Sequence, residues 1–413
     1  MKTYEYLIIG GGIAGVTAAE TIRGKDASSR IGIISSEPHL LYSRVLLPSY
    51  IKGRIARERV FLRKEEDFAR LRIDFMRGCA AAGVDTAARR VLLTDGEELA
   101  YEKLLIATGG SVRPWPVMPM SWRHGEAGES IFRLQTLDDA DRIVGAMDTI
   151  RQPLVIGSSF IALELIEIFI LHGVAPRVLV RGPHFFDTMI DGEGAVLIEE
   201  NMAQRGASLV RGDESARMEY HGAIAKIWMR GGSVFDADAV GIGIGIARNT
   251  GFLASSGIVC GRGVRTDEFL ETNIPGVFAA GDVAEYFDSQ ADRHTMVGNW
   301  THAVRLGRRA GLNMTGEKIS FSDVPSYSIT NLGLHIAALG ECNGGLETVS
   351  RSDAATRQYE RFFMRDGVLV GAFLINRAMD RPILMELIGR RAVIAPYAAR
   401  LRDMAFDIHS ILP

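Results

Sequence analysis

The amino-acid sequence predicts an α/β protein with two parallel-sheet domains and a smaller α+β domain at its C-terminal end. Residues 1–37 follow the order strand, glycine-rich turn, helix and strand. The same order returns in residues 152–181. From about residue 321 onward the pattern changes to short alternating strands and then to amphipathic helical stretches. Alternating strands and helices are typical of a parallel sheet, whereas the last part of the chain predicts a separate, mixed domain.

Length and composition limit the classes of protein to consider. The chain has 413 residues, of which 47% are hydrophobic and 23% are charged. We therefore expect a globular protein of two or three domains. The formal net charge of −3 gives no reason to expect nucleic acid or an anionic membrane surface as a partner, because both favour a basic excess.

The most apolar stretch of the chain covers residues 160–174. It is interrupted by Glu164, Glu167 and His172, so we expect no membrane span. The chain opens directly with an apolar strand and lacks the pattern of a secretory leader. We expect a cytoplasmic protein.

The first glycine-rich turn satisfies G-x-G-x-x-G through Gly10, Gly12 and Gly15. These glycines allow a tight turn, close approach of the backbone to a pyrophosphate, and close packing of the following helix. The start of that helix offers free N–H groups and the positive end of its dipole to phosphate. Glu37 ends the second strand, where a carboxylate accepts hydrogen bonds from ribose hydroxyls. This order predicts a Rossmann-like dinucleotide-binding domain.

The second unit departs from the motif in two places. Residues 157–162 read GSSFIA, so Ser159 stands where the second glycine belongs. Its hydroxyl can donate to phosphate, but its side chain occupies space that the backbone should leave open. Arg181 replaces the acid at the end of the second strand. An arginine there can pair with a 2′-phosphate, and a solvated surface arginine is an equally good interpretation.

The cysteines and histidines predict neither disulfide nor metal chemistry. Cys79, Cys260 and Cys342 are scattered without a short-range pair, so we interpret them as buried structural thiols. The histidines show no ligand spacing either, and we expect no bound metal.

Two further stretches carry a resemblance to a known superfamily. Residues 101–110 (YEKLLIATGG) and 271–282 (ETNIPGVFAAGD) each read as a strand running into a glycine turn. Together with the first glycine motif they resemble the FAD/NAD(P)-linked pyridine nucleotide oxidoreductases, over nearly the whole chain. Residues 41–53 (LYSRVLLPSYIKG) are most similar to the flavin portion of nitrite reductase large subunits, and next to rubredoxin and ferredoxin reductases.

The resemblance implies two sets of cofactor-binding residues. For FAD they are Gly10, Gly12, Ile13, Ala14, Gly15, Glu37, Arg44, Ala107, Thr108, Gly109, Gly281, Asp282 and Trp300. For NAD(P)H they are Gly157, Ser159 and Arg181. Arg181 favours NADPH or a relaxed preference, and the choice between NADH and NADPH stays open. Asp282 could instead be a helix N-cap, and Trp300 could be a core residue.

The resemblance also suggests catalytic residues. Glu164 matches a glutamate near nicotinamide and flavin, and Phe160 matches an aromatic residue that covers the flavin when nicotinamide is absent. Both could instead be ordinary residues of a helix face. Ferredoxin reductases carry a lysine where this chain has Ser49. The sequence therefore does not secure the expected glutamate–lysine pair, although Lys52 is a candidate substitute.

The domain division and function follow from the same resemblance. We expect an FAD-binding domain of residues 1–112 and 241–320, an NAD(P)-binding domain of residues 113–240, and a C-terminal interface domain of residues 321–413. The implied activity moves hydride between nicotinamide and flavin, and single electrons to or from an iron–sulfur protein, a rubredoxin or a partner subunit, without a redox-active disulfide. The alternatives are an NAD(P)H oxidase and a flavin-bearing subunit with an impaired nicotinamide site. A homodimer or a larger complex is compatible with each.

Overall fold

The computed structural model describes residues 1–118, 130–221 and 223–411. The chain forms two compact units. Unit 1 comprises Met1–Leu46, Ile55–Ser111 and Ile246–Asp323. Unit 2 comprises Leu47–Arg54, Val112–Gly245 and Val324–Pro413. The predicted division into three domains stays a prediction.

A mostly parallel sheet organises unit 1. Its strands are Ile73–Arg77, Ile31–Ser35, Lys2–Ile9, Glu98–Ile106, Arg90–Leu93 and Ala81–Asp85 in spatial order, with Val277–Ala279 also paired to Glu98–Ile106. The central strands are parallel, and the two at the far edge are antiparallel. The central strands contain continuous apolar runs because both faces of the sheet are covered.

Two helices of unit 1 pack closely together. Ile13–Lys25 lies against Trp300–Met314, and small residues allow the approach. A Cβ atom added to Gly307 would lie 2.2 Å from the carbonyl oxygen of Ala14. The other helical segments of the unit are Arg44–Leu46, Arg57–Val60, Glu65–Leu71, Gly251–Leu253 and Gly281–Val283. The remaining strands are Val264–Thr266, Ala284–Asp288 and Arg293–Thr295. Two more strands, Gly110–Val112 and Ile246–Arg248, lie where the chain passes between unit 1 and unit 2.

Unit 2 contains a second parallel sheet. Its strands, in spatial order, are Ser208–Arg211, Arg177–Val180, Pro153–Ile156, Ala239–Ile242 and Ile131–Phe132. An antiparallel sheet follows with Ser215–His221, Ile224–Met229 and Val234–Ala237. The helical segments here are Leu47–Ile51, Leu137–Ala146, Met147–Thr149, Phe160–Leu171 and Gly192–Gln204. The first of these is fixed by a hydrogen bond of 2.8 Å from the Tyr50 hydroxyl to Asp141.

The C-terminal part of unit 2 is an antiparallel sheet followed by short helices. The strands, in spatial order, are Ser326–Asn331, Leu334–Gly340, Val368–Ile375, Gln358–Arg365 and Glu347–Asp353. The helical segments are Ala378–Asp380, Arg381–Gly389, Ala395–Tyr397, Arg400–Arg402 and Ile408–Ile411. Parallel sheets in both units and this mixed C-terminal part confirm the predicted fold class.

A buried ion pair ties the end of the chain to this last sheet. Arg351 and Glu360 face each other on neighbouring strands with fully buried side chains, 2.5 Å apart. Arg351 also donates hydrogen bonds to the carbonyl oxygens of Asp403, at 3.0 Å, and Phe406, at 2.9 Å.

Within the described residues, no helix is both long enough and apolar enough to span a membrane.

Candidate functional site

The first glycine turn of unit 1 is shaped by contacts of its own backbone. Gly10 has a φ of +127°, and a Cβ there would lie 2.2 Å from the carbonyl oxygen of Ala107. A Cβ on Gly15 would lie 2.0 Å from the carbonyl oxygen of Gly10. Gly12, the N-cap of the helix Ile13–Lys25, has an ordinary φ of −76°, and no described atom lies within 4 Å of its would-be Cβ. The fold therefore requires Gly10 and Gly15, whereas the bare backbone at Gly12 faces open space at a helix N-terminus.

The acid at the end of the second strand is held in place by two neighbours. Nη2 of Arg44 lies 2.5 Å from Oε1 of Glu37, and the Tyr42 hydroxyl donates to Oε2 of Glu37. The side chains of Glu37 and Arg44 are 26% and 37% exposed. The carboxylate thus has a fixed orientation and still reaches solvent, which a ribose-binding acid needs.

The turn after the strand Val277–Ala279 places Asp282 beside three cationic or titratable side chains. Burial raises the pKa of Asp282, and Arg248, His302 and Arg44 oppose that effect. The N-cap interpretation of Asp282 is wrong, because it lies inside the short helix Gly281–Val283 and makes no capping bond there.

Asn299 instead caps the helix Trp300–Met314, accepting from the backbone N–H of His302 at 2.8 Å. Trp300 is partly buried and packs against the main core of unit 1, which favours its interpretation as a core residue. Thr108, at the other predicted flavin turn, donates its hydroxyl to the carbonyl oxygen of Asn249 at 2.9 Å. Its side chain therefore has a structural role as well as its predicted position along FAD.

His302 is the polar residue of this region that the sequence did not single out. Its ring is buried between Tyr286 and Phe321, and Nδ1 lies 3.0 Å from Oδ2 of Asp323. Nε2 is buried and has no hydrogen-bond partner among the described residues. A buried polar atom of this kind normally has a partner, so it marks a place that a polar ligand can complete.

The glycine turn of unit 2 repeats the geometry of the first. Gly157 has a φ of +114°, and a Cβ there would lie 2.2 Å from the carbonyl oxygen of Gly243. Ser159 is the N-cap of the helix Phe160–Leu171 and accepts from the backbone N–H of Ala162 at 3.2 Å. Its hydroxyl donates to the carbonyl oxygen of Gly243 at 2.7 Å. The Ser159 hydroxyl therefore both donates and accepts a hydrogen bond within the protein. Its contact with phosphate stays a prediction.

Phe160 belongs to an aromatic cluster within unit 2. Its ring centroid lies 4.8 Å from that of Phe186 and 4.7 Å from that of Tyr327. Phe373 lies 6.3 Å away in a stacked orientation. The cluster fixes the first turn of the helix against the C-terminal sheet. The covering of the flavin by Phe160 stays a prediction.

Lys52 forms the glutamate–lysine pair that the sequence alone did not secure. Its Nζ lies 2.5 Å from Oε2 of Glu164, and the two side chains are 3% and 11% exposed. Burial raises the pKa of Glu164, and the Lys52 ammonium opposes this effect. The lysine follows the short helix Leu47–Ile51, and its backbone N–H bonds to the carbonyl oxygen of Pro48. Glutamate and lysine therefore meet although Ser49 stands at the expected position.

Glu167 is a second carboxylate on the same lysine. It accepts from Lys52 through Oε2, which also accepts from Asn331 Nδ2 at 3.1 Å. Its Oε1 accepts from the backbone N–H of Leu332 at 2.8 Å. Glu167 was not among the site residues predicted from the sequence. The available signal was its spacing of three residues from Glu164 in an otherwise apolar helix, which places both on one face.

Arg181 is exposed at the end of the strand Arg177–Val180. Its side chain is 84% exposed and lies 3.8 Å from Glu214. This placement is compatible with both interpretations from the sequence, and selection of a 2′-phosphate stays a prediction.

Comparison with known proteins identifies the family. Residues 4–307 match the pyridine nucleotide-disulphide oxidoreductase model. The chain belongs to the pyridine nucleotide-disulphide oxidoreductase family. Residues 331–412 of this oxidoreductase also match the reductase C-terminal family. The predicted resemblance, including that to ferredoxin and rubredoxin reductases, is confirmed, whereas the closer likeness to nitrite reductase stays a prediction.

Several relatives match this oxidoreductase over nearly its whole length. It is 29% identical to the epsilon subunit of NADH-dependent phenylglyoxylate dehydrogenase of Aromatoleum evansii, covering 96% of this chain and 94% of the relative. It is 26% identical to the ferredoxin--NAD(+) reductase component of the biphenyl dioxygenase system of Paraburkholderia xenovorans, covering 98% and 97%. The reductase in the covalent putidaredoxin reductase–putidaredoxin complex has the same fold, with a TM-score of 0.90, 21% identity and coverage of 100% and 99%.

The family uses FAD and NAD(P)H, which confirms the predicted cofactors and the assignment as an oxidoreductase. Although the family is named for a disulphide, Cys79, Cys260 and Cys342 are all free in this chain. The prediction of buried thiols is wrong for Cys260, which is exposed, and Cys79 and Cys342 are only partly buried.

The residues of unit 1 fit FAD on their own evidence. The open space beside Gly12 lies at a helix N-terminus, which is suited to a pyrophosphate. The oriented carboxylate of Glu37 is suited to a ribose. The buried Nε2 of His302 requires a polar partner that the described residues do not supply. A dinucleotide with a polar body meets these three requirements.

Proposed function

We propose that this oxidoreductase moves hydride between a nicotinamide dinucleotide and FAD, and passes single electrons between FAD and an iron–sulfur protein or a partner subunit. The observation that carries the proposal is the buried Lys52–Glu164 pair, at 2.5 Å. A lysine displaced by three positions still reaches the glutamate, so the chain keeps the charged pair expected of a ferredoxin reductase. The names of two full-length relatives, a ferredoxin reductase component and a subunit of a dehydrogenase, support both kinds of electron partner.

FAD, when bound, accepts hydride and can release electrons singly, and the protein orients it and tunes its surroundings. We propose that Gly10, Gly12 and Gly15 hold the pyrophosphate through the N-terminus of the helix Ile13–Lys25. Glu37 binds the adenosine ribose, with Arg44 and Tyr42 fixing the carboxylate. The residues Ile13, Ala14, Ala107, Thr108, Gly109, Gly281, Asp282 and Trp300 complete the proposed site.

In this proposal the nicotinamide dinucleotide binds at the glycine turn of unit 2. Gly157 leaves the backbone bare at the start of the helix Phe160–Leu171, Ser159 caps that helix, and Arg181 lies at the end of the neighbouring strand. Phe160 and Glu164 follow on the same helix, about one turn apart. We propose Glu164 as a catalytic residue whose charge is controlled by Lys52, with Phe160 as the aromatic cover of the site.

No protein thiol pair takes the electrons in this proposal. The three cysteines are free, and burial raises the pKa of the Cys342 thiol to about 12. Thiol exchange requires a thiolate, and such a thiol is protonated at neutral pH. In this proposal no protein thiol lies on the path of the electrons.

The test is an anaerobic titration of the FAD-loaded protein with NADH and with NADPH, followed by visible absorbance. Bleaching of the flavin band, and then reduction of an added [2Fe–2S] ferredoxin, are the expected results. Bleaching without transfer to ferredoxin, together with rapid oxygen consumption once air is admitted, identifies an oxidase instead. A bound flavin that neither nucleotide bleaches contradicts the proposal and leaves the role of a flavin-bearing subunit.

A further inference from the structure

The two carboxylates on Lys52 are bonded very differently. Glu167 accepts three hydrogen bonds, from Lys52, from the Asn331 amide and from the backbone N–H of Leu332. Glu164 accepts one, from Lys52, within the part of the chain that the structure describes. Donors stabilise the ionised form of a carboxyl group. Glu167 therefore has three donors to stabilise its ionised form, whereas Glu164 has one.

The three side chains of this cluster, Lys52, Glu164 and Glu167, carry one more negative charge than positive. One ammonium and two carboxylates sum to a net charge of −1 when all are ionised, and their side chains are only 3%, 11% and 7% exposed. Burial disfavours an uncompensated charge. A single proton on one carboxyl group makes the cluster neutral, and that proton belongs on the carboxyl group with fewer donors.

We propose that Glu167 is the fixed counter-ion of Lys52, and that Glu164 is therefore the group of this cluster that takes up and releases a proton. The step is an exchange with water in which the Glu164 carboxylate gains or loses one proton and no electron moves. Glu167 acts as a positioning residue, because it holds Lys52 and sets the charge that Glu164 experiences. The relevance of this proton to catalysis rests on the proposed function, but the exchange itself does not.

The groups that face Glu164 agree with this assignment. Burial raises its pKa, and the neighbouring Glu167 carboxylate adds to that rise, while Lys52 and, with a weaker effect, Arg54 oppose it. Tyr327, on the strand Ser326–Asn331, also faces Glu164. Burial raises the pKa of the Tyr327 hydroxyl, so this tyrosine is neutral and adds no charge to the cluster.

The test is an infrared difference titration of the full FAD-loaded protein between about pH 5 and about pH 8. We expect a protonated-carboxyl C=O band in the unaltered protein and its loss in Glu164→Gln. In Glu167→Gln the Lys52 ammonium has Glu164 as its sole carboxylate partner in the cluster, and one nearby negative charge is gone. Both changes lower the pKa of Glu164, so the band should disappear at neutral pH and return only at more acid pH.

Glu199→Gln is the matched control. Glu199 is a buried glutamate of the same unit that accepts from the backbone of Phe185 and from Arg211, outside the cluster. The band should persist in this variant. Glu164→Gln leaves all three donors of Glu167 in place, so it decides the assignment even if Glu167→Gln does not fold.

A band that survives in Glu164→Gln and is lost in Glu167→Gln reverses the assignment. A titration without any protonated carboxyl band also overturns the proposal, because both groups are then ionised. Neither readout uses nicotinamide. Failure of the nicotinamide titration with an intact infrared result therefore rejects the proposed function alone, and the opposite pair of results rejects only the proton assignment.

Discussion

Nη2 of Arg44 lies 2.5 Å from Oε1 of Glu37, with both side chains partly exposed. Exposed pairs of this kind contribute little to folding, typically about 0–1 kcal/mol. The value of the contact lies in orientation, because Arg44 and Tyr42 together leave the carboxylate few rotamers. A pre-oriented acceptor loses less conformational entropy when a ribose binds.

Glu37→Gln should weaken FAD binding without destabilising the protein. The change replaces a charged acceptor by a neutral one and removes the partner of Arg44, which we expect to cost about 1.5–3 kcal/mol of binding free energy, a loss of roughly tenfold or more. Calorimetric titration of the apoprotein with FAD measures the change. Glu20→Gln is the control, because Glu20 pairs with Arg63 at 2.5 Å and similar exposure. Equal losses in both variants speak against a ribose contact at Glu37.

Two glycines of one motif should respond differently to alanine. Gly10→Ala places a Cβ 2.2 Å from a carbonyl oxygen at a φ of +127°, so the apoprotein should lose stability by roughly 1–3 kcal/mol or more. Gly12→Ala meets no described atom within 4 Å and should leave the apoprotein's thermal midpoint nearly unchanged while abolishing tight FAD binding. Thermal unfolding of the apoprotein and flavin content of the purified protein separate the two effects. Full FAD retention in Gly12→Ala counts against a phosphate at this position.

Ser159→Ala should act mainly on stability. The substitution removes an N-cap and the hydroxyl bonded to Gly243, and we expect a loss of about 1 kcal/mol in the free energy of unfolding. Denaturant unfolding measures it, with Ser158→Ala as the neighbouring control. An unchanged stability with a large rise in KM for nicotinamide dinucleotide shows instead that the hydroxyl binds phosphate.

Arg181→Ala should discriminate between the two nicotinamide dinucleotides. If the guanidinium pairs with a 2′-phosphate, the loss raises KM for NADPH by roughly tenfold, equivalent to about 1.4 kcal/mol, and leaves KM for NADH unchanged. Flavin reduction rates at varied nucleotide concentration give both constants. Arg230→Ala is the control for Arg181→Ala, because Arg230 is also exposed, at 72%, and lies 3.6 Å from the same Glu214. Identical behaviour of the two variants returns Arg181 to the class of solvated surface arginines.

Arg351→Met should destabilise the C-terminal part of unit 2 strongly. It leaves Glu360 buried without its main counter-charge and frees two carbonyl oxygens of the C-terminal segment. Breaking a buried pair from one side costs about 3–5 kcal/mol. Urea unfolding and hydrogen exchange in residues 403–406 measure this loss. Arg365→Met removes an exposed partner of Glu341 and should cost less than about 1 kcal/mol. A similar small effect at Arg351 contradicts this role.

Local sequence patterns predicted the two parallel sheets and both glycine turns, because these depend on short-range spacing and backbone geometry. Short-range patterns do not predict the role of Lys52. Its meeting with Glu164 joins residues that lie 112 positions apart in the chain, and it depends on how the short helix Leu47–Ile51 packs against the helix Phe160–Leu171. A lysine three positions after Ser49 lies on nearly the same helix face, so a motif read by exact position misses it.

His302 and Glu167 were missed for a related reason. The sequence showed a histidine and a glutamate within helical stretches, but not their partners Asp323 and Asn331, which belong to later segments of the chain. Ser159 illustrates the opposite case. The sequence correctly marked an unusual residue, while the structure supplied a capping role that no consideration of phosphate binding predicts.

The placement of Leu47–Arg54 in unit 2, between two stretches of unit 1, has a consequence for gene exchange. A recombination event that replaces residues 112–245 with those of a relative exchanges the codon of Glu164 and leaves the codon of Lys52 behind. The hybrid then combines a resident lysine with a foreign glutamate helix. Suppose that the recipient chain has its lysine at the position of Ser49 and receives the helix with Glu167 from this protein. Glu167 then faces a lysine that starts from a position three residues earlier in the chain. Such hybrids bring together partners with no shared history of selection, so functional descendants should inherit the two segments together.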